Sequence, residues 1–439
     1  MARPLYFDPG NNAVFETIKV QTCSGQPLEV TTTSGNLVYV QAAPTAGDAF
    51  GRLRVSNPLT LFDSSHRYAD NGKWNTATGT GGSFAFSSGE GLMNLTVDTT
   101  SGAYVYRETK TVSSYQPGKS LQVLNTFVMA AGEPNLRQRS GYFGSGNGIY
   151  FEVSGVAEPC FVERSSVGGS VSETRVYQSD WTQDKLDGTG KSGFTLDPSK
   201  AQIFWIDVEW LGLGTVRTGF IINGQLIHCH SFEHANLIQS TYITTASLPL
   251  RAEIENLNTT SGNHTLKQVC STVISEGGYE LRGSQTHVGT LVGSTYDLTN
   301  ASTNYPVASI RLKQSRIDAV VILSALSVVG TTQNAVYNWQ IVQGSTTSGG
   351  TWVSAGTDSA VEYNISGTSI SGGRVVAGGY TVGSVQGPST IDIPKEELFK
   401  FQLERNTFTN TPYELTLVVA TSNAGADVYG SIDFEEVSR

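Results

Sequence analysis

Along most of the chain, apolar residues alternate with polar ones in short runs, separated by clusters of Gly, Ser, Asn and Thr. A period of two over four to eight residues marks a half-buried β-strand, and the clusters between supply turns. The clearest case is Ile203 to Phe232, where Asn223-Gly224 divides two alternating runs. Asn-Gly flanked by alternation predicts a hairpin closed by a type I′ turn, because both central residues must take positive φ. That turn fixes a register: Ile222 opposite Gln225, Phe220 opposite Ile227, Thr218 opposite Cys229 and Arg217 opposite His230. Val216, Phe220, Ile222, Ile227 and Cys229 then share one face, the expected core face. Further strands are predicted at Leu250–Ile254 and Lys267–Ile274, then at 309–313, 318–326, 336–342, 374–380 and 414–420. Only Pro394 to Leu398 has the look of a helix start, and it is short.

The texture changes twice. The first ~45 residues carry only short apolar runs, such as Val38-Tyr39-Val40, between Gly- and Pro-containing breaks. They read as an extended arm adding strands to another surface, or equally as a first hairpin of the next domain. After Arg282-Gly283-Ser284 a second β-rich block begins, and limited proteolysis is expected to cut near Gly283–Gly289 and near Ala42–Gly47, where Gly, Ser and Pro replace apolar alternation. The expectation is an all-β protein: an N-terminal arm (1–47), a lectin-like jelly roll (48–283) and a C-terminal β-sandwich (284–439).

Composition narrows the function classes. Charged residues are 15% of the chain, below the ~25% of an average soluble domain, while glycine reaches 48 of 439 residues. The formal charge is −10 and no Lys/Arg block occurs, which argues against nucleic acid and anionic lipid as partners. Met-Ala-Arg-Pro-Leu at the start lacks the apolar core of a signal peptide. The longest apolar stretch, Ala319 to Val329, is about half a membrane span. Neither export nor membrane insertion is expected. Cys23, Cys160, Cys229 and Cys270 lack C-x-x-C spacing and read as buried free thiols. The Asn-x-Ser/Thr triplets at Asn94, Asn258, Asn263, Asn300 and Asn364 read as chance in so Ser/Thr-rich a chain.

Several stretches carry a resemblance. AFGRLRVSNPLTLFDSSHRY (49–68), the hairpin, LPLRAEIEN (248–256) and QVCSTVISEGGYE (268–280) resemble a family of tailed-bacteriophage virion structural proteins. SIRLKQSRIDAVVILSALSVV (309–329) with VYNWQIVQG (336–344) resembles a second β domain of similar phage proteins. The central block is also similar to lectin-like jelly rolls. The resemblance implies an accessory structural component of a phage particle, on its exterior as decoration, fibre or tail-associated protein. It would be folded in the host cytoplasm and then held by other virion proteins and copies of itself. The alternatives are an adhesin holding host glycan and, from the enzyme class, a glycan-depolymerising tail protein.

Three constellations were candidates for chemistry. Asp207 and Glu209 share a strand face, with Trp210 on the other, and their spacing of roughly 6–7 Å invites a glycosidase reading. Jelly-roll glycanases of the laminarinase type use E-x-D-x-x-E, and Phe204 to Trp210 lacks both outer glutamates; a solvated strand face is expected instead. His228, Cys229, His230, Glu233 and His234 form the densest group of metal-ligating types, with His228 and His230 on one face by simple alternation. Arg217 opposite His230 would oppose a divalent cation there. Asp184 to Gly190 faintly echoes a calcium loop but lacks the distal glutamate, and reads as a polar turn. No catalytic residue, cofactor or metal is expected.

Overall fold

The computed structural model describes residues 57–278, 283–383, 389–392 and 401–438. The arm (1–47) and the helix start at Pro394–Leu398 lie outside the described residues.

The all-β expectation holds. Among the described residues, twenty-six strands are joined by turns, and two single 3-10 turns, Gln178–Asp180 and Gln314–Arg316, fall wholly within them. Every strand pairing is antiparallel, and the strands form two sandwiches, a lectin-like jelly roll followed by a second β-sandwich.

The jelly roll is an eight-stranded sheet facing a seven-stranded one. The first runs β13 (Gln225–Phe232), β12 (Val216–Ile222), β11 (Gln202–Val208), β6 (Leu121–Val128), β15 (His264–Ser275), β4 (Leu92–Val97), β3 (Gly82–Ser87). The first strand, β1 (Leu59–Ser65), pairs the second half of β15. The second sheet runs β10 (Ser172–Tyr177), β9 (Cys160–Ser165), β8 (Gly148–Ser154), β7 (Leu136–Phe143), β14 (Leu250–Asn256), β5 (Tyr104–Thr109), β2 (Trp74–Thr78). Alternate positions of β11, β12, β8 and β9 send Phe204, Phe220, Phe151 and Phe161 into one buried aromatic cluster. Phe161 stacks on Trp181 at 4.3 Å and lies nearly parallel to Phe204 at 5.7 Å, while Phe220 meets Phe151 edge-on at 5.2 Å. Rings of this size dominate the energetics of a core.

In the second sandwich, β16 (Ser284–Gly289), β26 (Ala426–Ser438), β19 (Val320–Gly330) and β24 (Ser389–Asp392) form one sheet, with β17 (Tyr296–Leu298) also on β26. The other runs β21 (Val353–Ser354), β22 (Val361–Asn364), β18 (Tyr305–Leu312), β25 (Glu414–Thr421), β20 (Val336–Ser348), β23 (Ser369–Val382). One expectation is corrected here. Residues 284–289, within the stretch expected to be cut by proteases, are strand: β16 pairs β26 from Ser284↔Glu436 to Gly289↔Ser431. Only Val288 of that stretch is buried, so main-chain pairing rather than apolar alternation makes it a strand.

A strap, residues 401–413, ties the sandwiches together. Thr407 donates through Oγ1 to Thr109 O (2.7 Å) and through its amide to Lys110 O (3.3 Å). Gln402 reaches Ser114, Arg405 reaches Ser247 O at 3.4 Å, and Phe408 packs against Tyr106 at 5.3 Å.

Candidate functional site

The Asn-Gly turn forms as its chemistry demands, with φ of 51° at Asn223 and 76° at Gly224. Ile222 meets Gln225 and Phe220 meets Ile227, as predicted. Two residues later the register slips: a bulge at Cys229 puts His230 opposite Thr218 and Ser231 opposite Arg217. The predicted pairs Thr218–Cys229 and Arg217–His230 are therefore corrected. A bulge sets two residues against one and reverses the alternation beyond it. The slip falls beside Gly219, whose missing Cβ would lie 1.9 Å from Ile227 O and 2.9 Å from Trp205 Nε1.

The bulge also separates the histidines. His228 lies opposite Gly219 on the outer face, against Trp205 (5.9 Å between rings), with Ser231 Oγ 2.9 Å from its Nε2. His230 turns inward, edge-on to Phe232 at 4.7 Å, and burial beside His228 lowers its pKa to about 4. Simple alternation had placed both on one face; they project to opposite faces. His234 stands apart with Glu163. Among the described residues, no group of three or more His, Cys, Asp or Glu is arranged to hold a metal ion. In the 184–190 loop the carboxylates hold the turn itself: Asp184 accepts from the amides of Leu186 (2.9 Å) and Ser192 (2.7 Å), and Asp187 from that of Thr189 (2.8 Å). Cys160, Cys229 and Cys270 are free thiols, the first two buried; Cys23 lies outside the described residues. Burial, with Glu152 nearby, pushes the Cys160 thiol up to about 12.

Asp207 and Glu209 line a cleft, which corrects the expected solvated strand face: Asp207 is buried, and Glu209 is exposed just beyond the end of β11. The cleft opens beside β11 and β12 on the outer face of the eight-stranded sheet, holds about 360 Å³, and is lined also by Tyr115, Lys119, Ser120 and Arg217. Arg217 pairs with one oxygen of Asp207, and the other, Oδ1, is buried with no hydrogen-bond partner. Burial raises the Asp207 pKa against the opposing pull of Arg217. A buried carboxylate oxygen without a donor is costly, and Asp207, its side chain 9% exposed, bears that cost at the cleft wall. Behind it, Ser120 donates to Glu276 at 2.9 Å and Lys119 to Gly277 O at 2.7 Å. This mixed lining suits hydrogen bonding to a neutral, hydroxyl-rich ligand.

The rim of the cleft is the loop 209–215, a tight turn with Leu211 at φ 40° and Gly212 at φ 79°. Leu213 and Gly214 amides both donate to Trp210 O (2.9 and 2.7 Å). Trp210 packs towards the core, edge-on to Tyr115 at 5.5 Å, and the Leu211 amide donates to Tyr115 Oη at 3.2 Å.

Sequence reasoning missed the outer face of the seven-stranded sheet. There Arg139 sits between Glu152 (2.9 Å) and Glu253 (3.1 Å), Arg175 reaches Glu152 (2.8 Å), and Arg251 reaches Glu108 (3.0 Å). Burial works against the Glu173 charge, but hydrogen bonds from Arg164, Arg175 and Tyr150 outweigh it and hold the carboxyl down at about 2. The available signal was charge at i, i+2 in β7, β10 and β14: Arg137/Arg139, Glu173/Arg175 and Arg251/Glu253/Glu255. These charges are matched among themselves, unlike Asp207 Oδ1, which is why the cleft on the opposite sheet is the better candidate.

No family model matches the chain, and no curated protein matches it. Solved structures do. The carbohydrate recognition domain of Emp47p is 9% identical, covering 50% of this chain and 96% of its own (TM-score 0.31). A Bacillus licheniformis β-glucanase is 13% identical, covering 49% and 97% (TM-score 0.32). The CBM2 module of the evolved Dit of Lactobacillus casei BL23 phage J-1 is 8% identical, covering 52% and 100% (TM-score 0.33). Likeness at this level carries no functional argument.

Proposed function

We propose that this chain is an accessory structural component of a tailed-phage particle, carried on its exterior and working by binding rather than catalysis. The supporting observation is where the resembling stretches lie. Residues 203–232, 248–256 and 268–280 supply β11, β12, β13, β14 and β15, so they contribute strands to both sheets of the jelly roll. Residues 309–329 and 336–344 supply β18, β19 and β20 of the second sandwich. The resemblance thus falls on frameworks of paired strands, as an architectural role requires. The partners are other virion proteins and copies of this chain, met after folding in the host cytoplasm. Gold-labelled antibody against the second sandwich should decorate intact, density-purified particles at fixed positions. Absence of the protein from such particles, or labelling only after they are broken, would sink the reading.

The cleft favours a second reading, an adhesin holding host glycan. Carboxylates accept from sugar hydroxyls, Arg217 and Lys119 donate to them, and Ser120 Oγ, its hydrogen given to Glu276, can accept. On an array of host-surface glycans, Arg217→Ala should lose at least about tenfold in affinity, the worth of one charged hydrogen bond. Equal binding by the variant would remove the cleft from this role. Release of reducing ends from host polysaccharide would instead make the protein a depolymerase.

A further inference from the structure

His234 is buried at the base of the cleft's rim, 20 residues in sequence from Gly214. Its Nδ1 lies 2.6 Å from Gly214 O, and its Nε2 lies 2.7 Å from Glu163 Oε2 on β9. A carbonyl oxygen only accepts, and so does an ionised carboxylate. With Glu163 ionised, both ring nitrogens carry hydrogen and the ring is an imidazolium. The same ring stacks flat on Tyr242, 4.0 Å between centroids and 5° between planes. Tyr242 in turn holds the rim, donating from its hydroxyl to Glu209 O (3.2 Å) and from its amide to Gly212 O (3.0 Å). One side chain thus ties the rim loop to the opposite sheet along two routes.

We propose that doubly protonated His234 clamps the 209–215 rim, so that the shape of the cleft and its hold on a ligand depend on protonation. The ligand clause rests on the glycan reading of the cleft; the clamp does not. The groups facing the ring are Glu163 from β9, Tyr242 against its plane, and the Glu209–Gly214 backbone. Tyr115, Tyr142 and Glu209 act electrostatically on Tyr242, and the neighbouring Glu233 is exposed. Burial disfavours the cation, but Glu163 and Gly214 O outweigh it and raise the His234 pKa above 6.5. With the folded value raised, the clamp is complete below the unfolded value and is lost as pH rises through the folded one.

The test uses the full chain without ligand. Nitrogen-15 chemical shifts of the His234 ring report which nitrogens are protonated across pH 5 to 9. Hydrogen exchange of the Leu213 and Gly214 amides, corrected for intrinsic rates, reports the rim. Both nitrogens should be protonated at pH 5.5, and rim protection should fall with the His234 titration midpoint. In Glu163→Gln the midpoint should move down and the loss of protection should move with it. A neutral ring at pH 5.5, or rim protection indifferent to the titration, overturns the clamp; the wild-type titration decides this even if the variant fails to fold. Absence of glycan binding with the clamp intact would count against the glycan reading alone.

Discussion

At the residue scale, Glu404 in the strap shows how position sets charge. Burial pushes its carboxyl up to about 7, against hydrogen bonds from Thr111 and Gln343. The folded chain therefore keeps a proton that the unfolded chain has lost above its ordinary value of 4.5. Between that value and about 7 stability should fall as pH rises, by at most about 3 kcal/mol. Glu404→Gln should flatten this slope in denaturant titrations at a series of pH values and be the more stable protein above it. Gly219 presents the opposite case, a position where size alone decides. Gly219→Ala would drive a methyl into Ile227 O and Trp205, and should cost about 1–3 kcal/mol or more by urea midpoint.

At the scale of elements, the β12–β13 hairpin separates what alternation carries from what it does not. Its turn, the pairs Ile222–Gln225 and Phe220–Ile227, and its inward Phe220, Ile227 and Cys229 were legible, because Asn-Gly and period two are local properties. The bulge was not, because alternation carries no count of residues across a strand pair; it falls where Trp205 of the adjacent strand lies close to Gly219. Phe220 anchors the hairpin in the aromatic cluster. Phe220→Ala should cost about 3–5 kcal/mol in urea unfolding with the slope unchanged. Residues 284–289 teach the converse: a Gly- and Ser-containing stretch becomes strand where β26 offers it an edge.

At the scale of the whole molecule, the strap decides whether two sandwiches behave as one body. The described residues belong to one compact unit, and Arg405 holds Asp318 at 2.9 Å and Asn410 at 2.7 Å while reaching across to Ser247. Arg405→Met with Thr407→Val would remove these bonds while keeping side-chain bulk. Calorimetry should show one unfolding transition in the parent and two in the double variant. A single transition in both would mean that the coupling lies elsewhere.

The sequence by itself determined that the chain is built of strands, where the named ones lie, which faces of the hairpin are apolar, and how its turn closes. Each of these depends on residues within a few positions of one another. Tertiary structure alone decided the cleft, where Tyr115 meets Leu211 and Lys119 meets Gly277 O. It also decided the separation of His228 from His230, the His234–Glu163 pair and the charged ladder on the seven-stranded sheet. Contacts between residues tens to hundreds of positions apart depend on which strands become neighbours. Period two states only which side of a sheet a residue occupies, never what it will face there.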